Sequence, residues 1–374
     1  MNIAYLITRA DSVGGATIHV RDLARAMLDR GHQVTVILGG RGVATDLLAD
    51  AGVPVHPVEF LGRSIHPIRD LRAVAELTAV LRHLRPDLVS THTAKAGWIG
   101  RAACARLRLP VIYTPHGLSV GNRISAPLGL FFTLAERVAA RWTDALICVC
   151  DYEKRLALQK RVATLDQLYV VHNGVRDIPE ALRAVPGRAP VRLCSLARFA
   201  SPKDHATLLH SLAALRSQEW ELDLIGDGPR QPHIRRLAAK LRLSSRVHFL
   251  GYQPDPAPIL ARAHIFVLSS RSESFSRSML EAMRSGLAVV ASDVGGLREA
   301  ITHNVSGLLV PPANPDALSA ALGGLLSNPS QRERLGAAAR AAYQARFRLE
   351  YMVEATLGVY ATVLERTSKS RRTP

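Results

Sequence analysis

Apolar and polar positions follow two different periods along the chain. Short apolar runs are separated by longer stretches in which apolar residues recur every three or four positions. The first pattern predicts buried strands and the second predicts amphipathic helices. Because the two alternate regularly, the chain is predicted to form parallel sheets with helices on both faces.

The first half of the chain shows this alternation from its start. Strands are predicted at residues 2–7, 33–38, 53–58, 88–91, 111–114, 145–149 and 168–171. Helices are predicted at 17–30, 67–84, 95–106, 128–141 and 151–161. This half is predicted to be one Rossmann-like domain, residues 1–178.

The pattern restarts after residues 177–190, which are rich in Pro, Gly, Ala and Arg and are predicted to be a linker. Strands are predicted at 191–196, 222–225, 247–250, 265–268 and 287–291, and helices at 204–216, 231–241, 276–284, 316–325, 329–345 and 349–365. The fold class is therefore α/β, with two doubly wound parallel-sheet domains. The second domain spans 179–345, and residues 366–374 are predicted to be a disordered basic tail.

Two carboxylates lie within one strand–helix unit of the second domain. Glu273 follows a predicted strand, and Glu281 lies in the helix that begins near Ser276 and ends at Gly286. In doubly wound sheets, ligands bind outside the carboxyl ends of the strands, and a helix N-terminus there binds anions. A phosphate near 276–278, with a carboxylate on either side to accept hydroxyl hydrogen bonds, suits a sugar nucleotide. The alternative is that both carboxylates are solvated surface charges.

Cations and glycines also occupy predicted strand ends. Arg198 and Lys203 follow the first strand of the second domain, where they could clamp a diphosphate or be ordinary surface charges. Gly14 and Gly15 follow the first strand of the chain and would let backbone amides approach a phosphate. The turn lacks the GxGxxG pattern and no acidic residue follows the second strand, which disfavours NAD binding. His116 also lies just past a predicted strand, where a histidine can be functional or can serve as a structural hydrogen-bonding group.

The chain carries a formal net charge of +17, spread over both halves. It has no basic run with interleaved aromatic residues, and aromatic residues make up only 5% of the chain. This pattern argues against nucleic-acid binding. A basic surface suits polyanionic ligands or an anionic membrane surface, although an arginine-rich proteome explains the charge equally well.

Four cysteines show no metal-ligand spacing and are predicted to be reduced thiols in the core of a cytoplasmic protein. The N-terminus begins directly with a strand and lacks the features of a signal peptide. No apolar run reaches the roughly 18 residues that a membrane span requires. An apolar surface around 128–132 favours peripheral contact with the inner face of the cytoplasmic membrane.

Several motifs occur together in an order that resembles the family 4 retaining glycosyltransferases. They lie at predicted strand ends, and they comprise Gly14-Gly15, His116-Gly117, Asn173-Gly174, Arg198 with Lys203, Gly226-Asp227-Gly228-Pro229, Glu273 with Glu281, and Asp293 with Gly295, Gly296 and Glu299. The resemblance covers roughly residues 1–350. It implies the GT-B fold, in which two Rossmann-like domains face across a cleft and the last helix crosses back to the N-terminal domain.

The resemblance also implies roles for individual residues. Arg198 and Lys203 would neutralise the diphosphate of a nucleotide sugar, a UDP-sugar being favoured. Glu281 would hold the ribose hydroxyls, and Glu273 would contact the transferred sugar. The catalytic set is Glu273, His116, Arg198 and Lys203. The set that binds the nucleotide sugar comprises Gly14, Gly15, Arg198, Lys203, Gly226, Asp227, Glu273, Ser274, Phe275, Ser276 and Glu281. No metal or other cofactor is expected, since no Asp-x-Asp motif is present to hold one.

The segment 91–98 resembles the subset of this family that builds bacterial surface polysaccharides on lipid carriers. It indicates His92, Lys95 and His116 as contacts for a saccharide or lipid-linked acceptor. The run 274–278 departs from the common Gly-Phe-Gly/Pro pattern, so the transferred sugar is left open. Two other functions stay open from sequence: a nucleotide-sugar epimerase of the same fold, and a non-catalytic nucleotide-sugar-binding protein.

Overall fold

The computed structural model describes residues 1–118, 126–184 and 190–372, apart from the side chains of 126–128 and 370–372. The chain divides into two compact units. The N-terminal unit contains Met1–Asn173 and Glu350–Pro374, and the C-terminal unit contains Gly174–Leu349. The chain thus leaves the first unit, completes the second, and returns to the first.

Within the described residues, the N-terminal unit contains a seven-stranded parallel sheet of order β3-β2-β1-β4-β5-β6-β7. Its strands are β1 (Asn2–Ile7), β2 (Gln33–Gly39), β3 (Val55–Val58), β4 (Leu88–His92), β5 (Val111–Thr114), β6 (Ala145–Cys148) and β7 (Leu168–Val170). Its helices are α1 (Gly15–Leu28), α2 (Val43–Asp50), α3 (Pro67–Leu84), α4 (Ala94–Leu107), α5 (Ala126–Ala140), α6 (Asp151–Gln159) and, at the end of the chain, α14 (Leu349–Arg372).

The C-terminal unit contains a six-stranded parallel sheet, counted over the same described ranges, of order β10-β9-β8-β11-β12-β13. Its strands are β8 (Val191–Leu196), β9 (Trp220–Ile225), β10 (Val247–Gly251), β11 (Ile265–Leu268), β12 (Ala288–Ser292) and β13 (Leu308–Val310). Its helices are α7 (His205–Ala213), α8 (Gln231–Lys240), α9 (Ala257–Ala261), α10 (Arg277–Ser285), α11 (Leu297–Ala300), α12 (Pro315–Ser327) and α13 (Pro329–Arg346).

The central strands are fully buried, as expected for sheets covered by helices on both faces. All residues of β4, β5, β6, β11 and β12 are buried. Such strands read as continuous apolar runs because neither face meets water. The prediction of two doubly wound α/β domains is confirmed by both sheets. All four cysteines are free and buried, and burial raises the pKa of the Cys148 and Cys194 thiols.

The end of the chain differs from the expected tail. Helix α14 continues through Arg372, whereas the sequence pattern placed its end near 365 and left the rest disordered. The Thr367 hydroxyl donates to the carbonyl of Val363, one turn earlier in the helix, at 2.8 Å. Polar residues on an exposed terminal turn need no apolar face to stay helical, because lysine and arginine have good helix propensity. Residues 373 and 374, and 185–189 of the expected linker, lie outside the described residues.

Candidate active site

The strand order of the C-terminal unit places two sequence-predicted loops side by side. From β8 the chain moves to β9 and β10 on one side, and then to β11 on the other side of β8. In an open α/β sheet, ligands bind outside the carboxyl ends of the strands at such a reversal. Lys203 lies in the loop after β8, and Glu273 lies in the loop after β11.

Backbone hydrogen bonds join these two loops. Lys203 and Ser270 form an antiparallel bridge, and the amide of Asp204 donates to the carbonyl of Ser269 at 3.0 Å. The hydroxyl of Ser269 donates back to the carbonyl of Asp204 at 2.9 Å. The loops therefore hold the side chains that they carry in a fixed relation before any ligand arrives.

The side chains of Lys203 and Glu273 form an ion pair. The Lys203 ammonium donates to Oε1 of Glu273, and the hydroxyl of Ser270 donates to the same oxygen at 2.9 Å. The side chains of the pair are 18% and 13% exposed, so they are shielded and still reachable from solvent. In such a partly buried place, a charge acts more strongly on a neighbouring group than it does on an open surface.

Helix α10 begins directly after the Glu273 loop. The Ser276 hydroxyl caps it by accepting from the amide of Met279 at 3.4 Å, and Gly286 ends it with a φ of 78°. The first amides of a helix favour an anion. Arg277 is buried and donates to the carbonyl of Gly174 at 2.8 Å, which fixes this helix start to the beginning of the unit. Glu281 lies half-buried a little more than one turn into the helix.

Two glycines allow the surrounding loops to approach closely. Gly295 has a φ of 57°, and a Cβ there would lie 1.8 Å from the carbonyl oxygen of Glu273. Gly226 has a φ of 134°, and a Cβ there would lie 2.4 Å from the carbonyl oxygen of Ala197. The loop after β12 thus braces the Glu273 loop, and the loop after β9 braces the Arg198 loop.

The other residues expected to bind the nucleotide sugar fall into two groups. Arg198 and the side chain of Asp227 are exposed, while the Asp227 carbonyl accepts from the amide of Phe199 at 2.7 Å. Ser274 and Phe275 are buried. The Phe275 ring packs on Phe347, with ring centroids 5.5 Å apart. The Phe275 side chain is therefore packed within the protein.

A neutral histidine lies beneath the Lys203 loop. His205 is the first residue of α7, and its ring stacks on Phe199 with centroids 4.4 Å apart. Burial lowers the pKa of His205 to about 4, and the charge of Lys203 adds to this effect while Asp204 opposes it. The imidazole is therefore uncharged near pH 7 and adds no cation beside Lys203.

The N-terminal unit has an equivalent reversal between β1 and β4. Gly14 and Gly15 follow β1 and begin α1, and His92 ends β4. Both glycines are exposed, and a Cβ at either would meet no heavy atom within 4 Å. The first turn of α1 has no side-chain cap, so its amides remain open to a ligand acceptor.

Three histidines form a cluster at this edge. Nδ1 of His92 and Nε2 of His116 are 3.0 Å apart, and Nε2 of His92 is 3.1 Å from the hydroxyl of Ser90. The ring of His19 meets His116 edge-on at 4.6 Å, and its Nδ1 is 3.2 Å from Oδ1 of Asn173. Burial holds the pKa of His92 well below its usual value, and His116 lowers it further.

The imidazoles of this cluster are also close enough to meet a metal ion. One nitrogen from each of His19, His92 and His116 lies within 4.8 Å of the others. Neutral imidazole is a common ligand for zinc and similar ions. The short contact between His92 and His116 equally suits a hydrogen bond between one protonated and one unprotonated ring nitrogen.

A buried carboxylate holds the turn that carries His116. Oε1 of Glu153, in α6, accepts from the amides of Gly117 at 2.8 Å and Leu118 at 2.9 Å. Its Oε2 accepts from the amide of Val149 at 2.9 Å. The turn is unusual, since His116 has a φ of 54° and Gly117 a φ of 123°.

The two remaining acceptor candidates are engaged within the protein. Lys95 donates to a carboxylate oxygen of Asp70, and its side chain is 12% exposed. His92 is 1% exposed and bonds to Ser90 and His116. His92 is thus fully buried, whereas Lys95 and His116 are only partly buried.

Comparison with known proteins identifies the family. Residues 13–177 match the family described as Glycosyltransferase Family 4, and residues 183–342 match glycosyl transferases group 1. The D-inositol 3-phosphate glycosyltransferase of Frankia alni is 30% identical over 372 residues, which cover 87% of this chain and 89% of that protein. The chain belongs to the family 4 glycosyltransferases.

Two further comparisons extend over most of this glycosyltransferase. The UDP-Gal:alpha-D-GlcNAc-diphosphoundecaprenol alpha-1,3-galactosyltransferase of Escherichia coli is 24% identical over 306 residues, or 77% of this chain and 79% of that protein. The structure of Anabaena HepE in complex with UDP and glucose superimposes with a TM-score of 0.84, at 23% identity, over 96% of this chain and 99% of that one. This likeness supports the GT-B fold.

Four side chains of this glycosyltransferase that support the two candidate sites were not singled out from the sequence. They contact predicted site residues, and they are Ser270, His19, Ser90 and Glu153. Ser270 and Ser90 lie only three and two residues from Glu273 and His92, but serines at such short spacings are common and carry no signal. His19 and Glu153 are far from His116 in the sequence, and only the fold brings them beside the His116 turn.

Proposed function

We propose that the protein is a retaining glycosyltransferase that moves a sugar from a UDP-sugar to a saccharide or lipid-linked saccharide. The observation that supports this most directly is the Lys203–Glu273 ion pair at the strand-order reversal, beside the N-terminus of α10. The names of similar proteins agree with the substrate classes, since HepE is complexed with UDP and glucose and the Escherichia coli relative uses a lipid diphosphate acceptor.

In the proposed reaction, the bond between the sugar and the diphosphate breaks as the acceptor hydroxyl attacks from the same face. The acceptor proton passes to the departing phosphate oxygen. Lys203 and Arg198 stabilise the negative charge that develops there, and the amides at the start of α10 add donors. Because these groups are fixed cations and amides, the proposal requires no metal ion.

Glu273 is proposed to contact the transferred sugar, and Glu281 to accept hydrogen bonds from the ribose hydroxyls. An incoming diphosphate competes with Glu273 for the Lys203 ammonium. Ser270 keeps its hydrogen bond to Glu273 during this exchange, so the carboxylate stays in place. Donor binding therefore removes one of the two donors on Oε1 of Glu273, so that a sugar hydroxyl can take its place.

A thermal-stabilisation panel tests the proposed donor class. We expect a UDP-sugar to raise the melting temperature more than the matching GDP- and ADP-sugars, since bound ligand stabilises by RT ln(1 + [L]/Kd). At 100 times Kd this amounts to about 2.7 kcal/mol. Equal stabilisation by all three nucleotides would contradict the base preference, and stabilisation by none would contradict the donor site itself.

The proposed lipid-linked acceptor agrees with an exposed apolar face on α5. Leu130, Leu134, Val138 and, just beyond the helix, Trp142 recur at four-residue steps and are each at least 43% exposed. Arg137 and Arg141 are exposed beside them. A helix face of this kind binds the interface of an anionic bilayer by apolar burial and charge attraction. No described helix has the length and hydropathy to span a bilayer.

Vesicle flotation tests the membrane proposal. We expect Leu134→Glu to lower the fraction bound to anionic vesicles by roughly tenfold, because a charge replaces an inserted apolar group. Leu165→Glu is a matched control, since Leu165 is 66% exposed on the same unit but lies outside the α5 face. Equal binding by both variants, or equal binding to neutral vesicles, would contradict the proposal.

A further inference from the structure

We propose that Glu153 is a positioning residue for His116, which the resemblance to the family 4 glycosyltransferases places in the catalytic set. This inference rests on the proposed glycosyltransferase function and on that role of His116. Glu153 lies on α6 and is 1% exposed, so its carboxylate cannot itself reach a substrate. Its effect on the reaction must therefore pass through the groups that it binds.

The Glu153 carboxylate binds backbone amides that follow two neighbouring strands, β5 and β6. One oxygen accepts from two successive amides, Gly117 and Leu118, directly after His116. The other accepts from the amide of Val149, just beyond β6. The His116 turn, which follows β5, is thereby tied to the neighbouring strand through a single charged group. Hydrogen bonds to a carboxylate are roughly twice as strong as those between neutral groups.

The turn needs such support because its backbone is strained. A φ of 54° at His116 places a non-glycine residue in the left-handed region, which L-residues disfavour. The next residue, Gly117, also has a positive φ of 123°, which glycine adopts at no steric cost. The strain therefore lies at His116. The Glu153 bonds therefore stabilise the conformation that directs the His116 ring.

The ring itself is held from the other side. Nε2 of His116 is 3.0 Å from Nδ1 of His92, whose Nε2 is 3.1 Å from the Ser90 hydroxyl. Ser90 and His92 lie two apart on β4 and so share one face of the sheet. His116 thus has its backbone fixed by Glu153 and its ring fixed by β4. Loss of the Glu153 bonds would move the ring relative to the groups of β4.

The chain offers a matched control. Glu76, on α3, also accepts from two successive loop amides, those of Glu59 at 2.7 Å and Phe60 at 3.0 Å. That loop follows β3 and carries no candidate site residue. The substitutions Glu153→Gln and Glu76→Gln therefore each replace a carboxylate that accepts hydrogen bonds from two successive amides of a loop in this unit. Only one of the two loops carries His116.

A double-mutant cycle tests the inference with the full-length protein and the nucleotide sugar selected by the thermal panel. We expect Glu153→Gln to lower kcat by roughly 10- to 100-fold, since a small misplacement of a site group has effects of this size. Glu76→Gln should leave kcat within about twofold of the original protein. In a His116→Ala background, Glu153→Gln should have no further effect, because its influence passes through His116.

Amide hydrogen exchange at Gly117 and Leu118 gives a readout that needs no substrate. Faster exchange at these two amides in Glu153→Gln, with the overall fold retained, is the expected result. Unchanged exchange, or an equal loss of kcat with and without His116, would overturn the positioning role. Full activity of His116→Ala alone would instead overturn the proposed role of His116. If His116→Ala is impaired and Glu153→Gln is not, only the positioning role fails.

Discussion

Replacement of Lys203 by alanine is expected to lower the turnover number by about 100- to 1,000-fold, the effect of removing one fixed donor from a site of developing charge. The Lys203 ammonium lies against Glu273 at the end of β8, where the departing diphosphate is proposed to bind. The measurement is the rate of nucleotide release from the nucleotide sugar at saturation.

The control for this prediction is Lys240→Ala. Lys240 is an exposed residue at the end of α8, so its loss changes the net charge equally without touching the Glu273 loop. Its turnover should stay within about twofold of the original value. The folded fraction of Lys203→Ala must also be measured by denaturant titration, because the variant removes the ammonium that is paired with the partly buried Glu273 carboxylate. Full turnover by a folded Lys203→Ala protein would refute the proposed diphosphate clamp.

Substitution of Gly295 by alanine is expected to disable the same site through its backbone. The new Cβ would lie 1.8 Å from the carbonyl oxygen of Glu273, and the φ of 57° is unfavourable for alanine. The strained conformation and the overpacking together should lower the free energy of unfolding by about 3 kcal/mol. The Glu273 loop must shift to relieve the contact, so transfer activity should fall as well.

Gly324→Ala is the matched control for Gly295→Ala. Gly324 lies in α12, and a Cβ there would meet no heavy atom within 4 Å. Alanine inside a helix should raise stability by roughly 0.5–1 kcal/mol. Urea titration of both variants separates the two cases. If Gly295→Ala were as stable and as active as Gly324→Ala, the brace between the β12 and β11 loops would not be needed.

The sequence predicted those parts of the fold whose signals are local. Helix α10 is an example. Its serine cap, its apolar residues at helical spacing and its terminal glycine all lie between Ser276 and Gly286, so each signal is local. The long helix α3 was predicted with its observed bounds for similar reasons. In contrast, β13 is only three residues long and was not predicted, because so short a run has no period to detect.

Contacts within the candidate sites depended on strand order, which the sequence does not display. Lys203 and Glu273 were expected to share a site through family resemblance, and their pairing follows from β8 lying next to β11. In the sequence, Glu153 is indistinguishable from a solvent-exposed charged residue of an amphipathic helix. It is buried because the His116 turn packs on it and donates to its carboxylate. Phe275 was predicted to bind the nucleotide sugar, and nothing in the sequence indicates that its ring packs against Phe347, 72 positions further along the chain.

The division of the chain has a consequence for its biogenesis. Gly174–Leu349 is continuous, so this unit can fold as soon as it has left the ribosome, whereas the first unit lacks α14 until the chain beyond the second unit has been made. Val353, Tyr360 and Val363 of α14 are buried, so the nascent first unit exposes the apolar surface that they later cover. The first unit is therefore expected to depend on chaperones during translation more than the continuous second unit does.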